Sequence, residues 1–240
     1  MMSDTAESLI KKFEEQNKSI AIAYGGDGTL LSKARAKNFK KAIAPIRNYG
    51  LCQKHANILN DFLGTGKADA SFKITVQPLI RCQVGGLDWS EVAMSELTLK
   101  NLDLTSCLRF DLKVNGRLYM ENVMADGLIA ATPLGSHAYF KSVARLIFTE
   151  GIGIGFIAPT YGINNLVIRQ QDKAEVIFRR DFDVQLTFDK LVKEVKVKAG
   201  QSVTIESACQ NMSVVGYDAF MCPECRKLRN STMVNDQYLG

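Results

Sequence analysis

The 240 residues suffice for one large domain or two modest ones, with interior enough for a core that needs no disulfide staples. An apolar fraction of 46% and a charged fraction of 23% exclude a disordered, collagenous or coiled-coil chain. The 30 basic and 25 acidic residues leave a net charge of +5, which suits phosphate-bearing partners and falls short of the basic excess of a dedicated nucleic-acid binder.

The opening MMSDTAESLIKKFEEQNKS lacks the apolar core of a secretory signal, so a cytoplasmic location is expected. Leu9, Ile10 and Phe13 among charges predict a short amphipathic helix over 5–17. SIAIAY reads as a strand that runs straight into GGDGTLLSKARAKN, a glycine-rich turn followed by a helix carrying Leu30, Leu31 and Ala34. KAIAPIRNYG predicts a second strand and 53–64 another helix, closing an α/β section near Gly66.

From Ala70 the texture changes to period-two runs, FKITVQPLIRCQV, EVAMSELTLKN, CLRFDLKVNGRLYMEN, LVIRQQDKAEVIF, DVQLTFD and EVKVKAGQSVTIESA. Turn signals at Asn115-Gly116 and Ala199-Gly200 mark antiparallel pairing. One segment, ADGLIAATPLGSHAYFKSVARL, passes from a strand through Thr132-Pro133-Leu134-Gly135-Ser136 into a helix expected near His137. Gly151 to Ile168 carries no charge, but its glycines, Pro159 and Asn164-Asn165 make it a buried strand and a turn, not a membrane span.

The fold class read from this order is α/β plus all-β. A small α/β domain with the GGDG turn spans 1–68, a β-rich, β-sandwich-like domain spans 69–210, and a tail over 211–240 is placed as returning to the first domain. Phe110, Phe148, Phe178 and Phe188 are assigned to strand faces in the core, and Lys11-Lys12, Lys40-Lys41 and Arg179-Arg180 to solvated faces.

Strand, glycine turn and helix is an arrangement that cradles phosphates, because the glycines let backbone N–H groups approach and the helix adds its positive end. Asp27, in the middle of Gly25-Gly26-Asp27-Gly28-Thr29, is not needed by such a cradle. It makes sense either as the acceptor of a proton from an attacking hydroxyl, as a metal ligand beside the phosphates, or as a plain Asp-Gly turn. The six cysteines, Cys52, Cys82, Cys107, Cys209, Cys222 and Cys225, do not suggest a disulfide framework in a chain of this size. Cys222-Pro223-Glu224-Cys225 with Cys209 offers three thiolates to zinc and lacks a fourth ligand; reduced thiols on a tail turn are the alternative.

Taken in order, GGDGT, PIRNYG, MSELTLKN, ADGLIAATPLGSHAY and a closing LTFD resemble the NAD kinase family from about Ser19 to Ser207. The resemblance implies ATP-dependent phosphorylation of the adenosine ribose 2′-hydroxyl of NAD, with ATP and Mg²⁺ on the α/β side and the nucleotide in the cleft between the domains. It implies Asp27 as general base and Gly25, Gly26, Gly28 and Thr29 as the phosphate turn, with Asn48 in PIRNYG added to the binding set. Glu96 corresponds to the acid of the family's Asn-Glu pair, whose Asn is Ser95 here, and Asp126 to a second dinucleotide contact. Thr132, Ser136 and His137 belong to the same binding segment, and Ala138, Tyr139 and Ser142 fall on the family's AYxxS positions.

Two departures carry expectations of their own. His137 replaces a Thr and serves either as a partner of phosphate or base or as a tolerated substitution. Only 24 residues precede GGDG where the family has a further strand and helix, which implies an N-terminally reduced ATP-side domain. The rival functions are a dinucleotide-binding protein without catalysis and a GGDGT lipid kinase. No nucleic-acid or membrane partner is expected. A homodimer or homotetramer through the β domain is, and an exposed β edge after Asp172 would favour it.

Overall fold

The computed structural model describes residues 4–16, 18–46 and 73–220, and the chain separates into two units, Met1–Val76 with Met212–Gly240, and Gln77–Asn211. The helix expected over 53–64, together with Asn48, Cys222 and Cys225, lies outside the described residues.

In the first unit, helix α1 (Asp4–Gln16) precedes strand β1 (Ile20–Tyr24), helix α2 (Asp27–Ala36) and strand β2 (Ala42–Ile46). The two strands pair in parallel, with Ile20 opposite Ala42 and Tyr24 opposite Ile46. Their period-two pattern puts Ile22, Ala44 and Ile46 against Phe13 of α1 in one apolar cluster, and α2 packs on both strands with Leu30 and Ala34 buried. Glu14 of α1 accepts the Ile22 N–H at 2.9 Å and pairs with Lys33 of α2, also at 2.9 Å. This is the strand, turn and helix order read from the sequence. A short helix α4 (Tyr217–Phe220) closes the described part of the unit.

The second unit is built from eleven strands. They are β3 (Ile74–Val84), β4 (Ser90–Ala93), β5 (Glu96–Asn101), β6 (Leu108–Val114), β7 (Arg117–Ala131), β8 (Ile152–Pro159), β9 (Leu166–Ile168), β10 (Ala174–Phe178), β11 (Phe182–Phe188), β12 (Leu191–Val197) and β13 (Ser202–Val215), the first and last of which run into the other unit. Hydrogen bonds follow the path β13-β10-β6-β7-β5-β11-β12, with β3 and β4 branching from β13 and β8 and β9 from β7. Alternate residues of these strands, among them Leu99, Phe110, Leu128, Ile154, Phe178, Val184 and Phe188, converge on one core. Truncating one such ring, Phe110→Ala, should cost about 3–5 kcal/mol.

Strand β7 changes partners midway: its first part pairs with β6 as far as Ala125, and from Gly127 onward it pairs with β5. Asp126 is the residue at the change. After β7 comes a 3₁₀ turn (Gly135–His137) and then helix α3 (Tyr139–Ala144), so the insertion read from the sequence is present, with its α-helix starting at Tyr139. The GIGIG alternation of β8 also has a reason. Ile152 and Ile154 face the main core, while a side chain on Gly153 would strike the rings of Phe140 and Phe148.

Two expectations need correction. The run EVAMSELTLKN is two strands, broken at Met94-Ser95. Phe148 sits in the loop between α3 and β8, not on a strand, and packs edge-on to Phe140 with ring centroids 5.6 Å apart. Of the strands after Asp172, β10 pairs with β13 on one side and β6 on the other, while β12 ends the strand path among the described residues. No helix among the described residues is long and apolar enough to cross a membrane.

Candidate functional site

In the first unit the site is the Gly25–Thr29 turn. Gly25 has φ +154°, and a Cβ there would overlap the Thr29 hydroxyl, so both conformation and space require glycine. Its N–H donates to Ile46 O at 2.7 Å, fastening the turn to the end of β2. Gly26 has extended backbone, φ −90°, and is the N-cap of α2; Asp27, Gly28 and Thr29 form the helix's first turn. Asp27 and Thr29 are exposed at that positive end. The Gly25–Thr29 turn therefore includes the first residues of the helix, Asp27 to Thr29.

In the second unit Ser95, Thr132 and Tyr139 gather around Glu96, which opens β5 beside the bend at Met94-Ser95, whereas Asp126 lies five residues along β7 from Ala131, the partner of Glu96. The Glu96 carboxylate accepts the Phe140 N–H at 3.2 Å and also bonds the Tyr139 backbone, so it sits over the first turn of α3. Burial pushes its carboxyl up to about 7; the nearby Asp189 charge adds to the rise, and the backbone bonds and Lys100 oppose it. Tyr139 is exposed, with the Lys100 ammonium 5.1 Å from its ring centroid. Ala138, Ser142 and Asp126 are exposed, His137 is half-buried, and the Cys107 thiol donates to Asp126 Oδ1 at 3.7 Å.

Thr132, Ser136 and Ser95 are buried and serve the frame of this loop. The Thr132 hydroxyl donates to Met94 O at 2.7 Å, its N–H donates to Ser95 O at 2.9 Å, and it accepts the Gly135 N–H at 3.2 Å. The Ser136 hydroxyl donates to Pro133 O at 2.7 Å. Gly135 lies so close to Ser95 that a Cβ would overlap its carbonyl oxygen. The loop is thus tied to the bend beneath Glu96 through hydroxyls and one close backbone approach.

Asp189 is a residue that motif reading passed over. Its carboxylate accepts the N–H groups of Met94, Ser95 and Glu96 at 2.9, 2.8 and 3.2 Å. The only signal in the sequence is the LTFD segment, with an Asp just past a strand end. Among the described residues no group of three or more His, Cys, Asp or Glu side chains is arranged to hold a metal ion. Cys209 is exposed on β13, and its proposed zinc partners fall outside the described residues. Buried Cys82, its thiol pushed up to about 12 by desolvation, is a core residue.

Two solved structures share this architecture. A yeast NADH kinase complexed with NADH aligns over 90% of this chain and 65% of its own, with a TM-score of 0.69 at 16% identity. An NAD kinase from Archaeoglobus fulgidus in complex with ATP aligns over 94% of this chain and 96% of its own, at 0.67 and 17%. The fold is therefore that of the NAD(H) kinases. No family model matches the chain. Among curated proteins, the NAD kinase of Lactococcus lactis subsp. cremoris is 27% identical over 204 residues, covering 77% of this chain and 74% of its own length. NAD kinase 1 of Bacillus anthracis is 31% identical over 186 residues, covering 70% of this chain and 68% of its own length. The chain belongs to the NAD kinase family.

Proposed function

We propose that this protein transfers the γ-phosphoryl group of ATP to the 2′-hydroxyl of the adenosine ribose of NAD, giving NADP and ADP. The observation that carries the reading is Glu96, a half-buried carboxylate held over the start of α3 beside an exposed aromatic ring. A carboxylate offers about four acceptor positions, so with two engaged by backbone N–H groups it retains capacity for a ribose diol. Tyr139 supplies a ring face for a base, and Asp126 a second polar contact, at the one point of β7 where the strand changes partners.

Asp27 is the base in this reading. As the ribose oxygen bonds to the γ-phosphorus and the bond to the departing ADP oxygen breaks, its carboxylate takes the hydroxyl proton. The Gly25-Gly26 turn and the start of α2 hold phosphate oxygens through N–H groups. A divalent ion such as Mg²⁺ fits here in one way: such ions are commonly held by substrate phosphates with one or two carboxylates, and the exposed Asp27 is the carboxylate at the turn. When bound it would neutralise phosphate charge. Membership of this family leaves no place for the lipid-kinase alternative. A cytoplasmic location and a homodimeric or homotetrameric assembly complete the proposal, the assembly to be read by light scattering.

Transfer of labelled γ-phosphate from ATP to NAD, measured beside NAD binding in the same preparation, tests the reading. Labelled NADP is the expected product. Binding without transfer, from either ATP or polyphosphate, would establish instead a dinucleotide binder that has lost catalysis, the alternative favoured by Ser95 where the family has Asn.

A further inference from the structure

We infer that Asp189 is a positioning residue for Glu96, fixing the main chain of the Met94–Glu96 bend so that the Glu96 carboxylate meets the dinucleotide. The inference rests on the proposed role of Glu96 in binding NAD.

A bend between two strands leaves N–H groups that no ladder accepts, and buried donors without acceptors are costly. Here Asp189 Oδ2 takes the Met94 N–H, and Oδ1 takes those of Ser95 and Glu96. The Asp189 N–H donates in turn to Glu96 O at 3.0 Å. Both main-chain polar groups of Glu96 are thus held by one residue from a strand end far along the chain. The neighbouring pairs set the register, Phe188 opposite Leu97, with the Thr98 and Thr187 hydroxyls 2.6 Å apart. Ser95 O is held from the other side by Thr132.

Asp189 has φ +54°, a conformation that Gly and Asn adopt at least as easily. Turn geometry alone therefore does not require Asp, whereas three converging N–H donors do require a carboxylate, which accepts at both oxygens. The charge also bears on Glu96, whose surroundings comprise Asp189, Lys100 and the Tyr139 and Phe140 N–H groups. Asp189 is the like charge among them.

The test uses Asp189→Asn in the full chain, which keeps size and φ but turns an amide N–H₂ toward a backbone N–H. The KM and Kd for NAD should rise about tenfold. The KM for ATP, and kcat at saturating NAD, should stay within about twofold, as for lost uniform binding. The pH midpoint of NAD affinity should move lower, because the like charge beside Glu96 is gone. Combined with Glu96→Gln, the substitution should add no further loss. Asp189→Gly, which relieves the backbone and removes the carboxylate, serves if the Asn variant does not fold and should give the same pattern. An unchanged KM for NAD, or a loss additive with that of Glu96→Gln, overturns the inference. If Glu96→Gln itself leaves NAD affinity intact, the reading of Glu96 fails first and this inference with it.

Discussion

The Gly25–Thr29 turn and the Glu96 bend each present a carboxylate, and they hold it by opposite means. At the turn, the means are largely local: a glycine with φ +154°, one backbone bond to β2 and the start of a helix set Asp27 at an exposed position. At the bend, no neighbour in sequence does the work. Asp189, Thr132 and the first turn of α3 converge on it from far along the chain and leave Glu96 half-buried, its carboxyl pushed up to about 7 by that burial. The difference teaches where pH acts. Near neutrality the titrating group belongs to the carboxylate that grips, so acidity should weaken NAD affinity.

Asp27→Asn presses hardest on this contrast. A general base contributes about 10² to 10⁴-fold to rate, so transfer should fall by that range while NAD binding stays within a few-fold. Steady-state rates beside equilibrium binding check it, and a loss of NAD binding with an earlier melt would make Asp27 a turn residue only.

Gly135→Ala comes next. A methyl group that overlaps the Ser95 carbonyl must move backbone in the second unit, costing about 1–3 kcal/mol and disturbing Glu96. Thermal melting should show the loss, and NAD affinity should drop with it. Gly116→Ala, at a turn glycine whose Cβ would meet nothing within 4 Å, should leave NAD affinity unaltered. Equal effects on affinity from the two would erase the link between the loop and the bend.

The smallest effect is the pH dependence. With its carboxyl raised to about 7, Glu96 is neutral below that value and ionised above it, so NAD should bind several-fold tighter as pH rises through about 7. The sign for folding is reversed. A raised carboxyl stabilises the fold while protonated, fully so below the unfolded value of about 4.3, and that contribution is lost as pH rises through about 7. Glu96→Gln should flatten the affinity profile; an unchanged slope would assign it to another group.

What was legible in the sequence follows the same division. Strand β1, the glycine turn, α2 and β2 are contiguous, and their period and glycines declare them. The Asn115-Gly116 turn is legible for the same reason, with φ of +50° and +77° at the two residues. The break between β4 and β5 was not, because the acceptor for its N–H groups is Asp189, distant in sequence. Thr132 and Ser136 could be assigned to the site by motif, but only tertiary structure reveals that their hydroxyls hold the loop itself. Phe148 failed as an expectation on like grounds: apolar patterning finds buried residues without saying which element they sit on.

One small contact in the first unit reaches beyond the site. Burial raises the Glu14 carboxyl, but Lys33 and the Ile22 N–H outweigh it and leave the group below its usual range. It takes the main-chain N–H of Ile22 in the middle of β1. By holding the main chain of β1 and the side chain of Lys33 on α2 at once, Glu14 fastens α1 to the strand and helix that flank the glycine turn. A Glu14→Ala variant should melt earlier, by the loss of about 1–2 kcal/mol, and an unchanged melt would deny it that role. A residue with no part in handling nucleotides would then set how firmly the glycine turn's two flanking elements are moored.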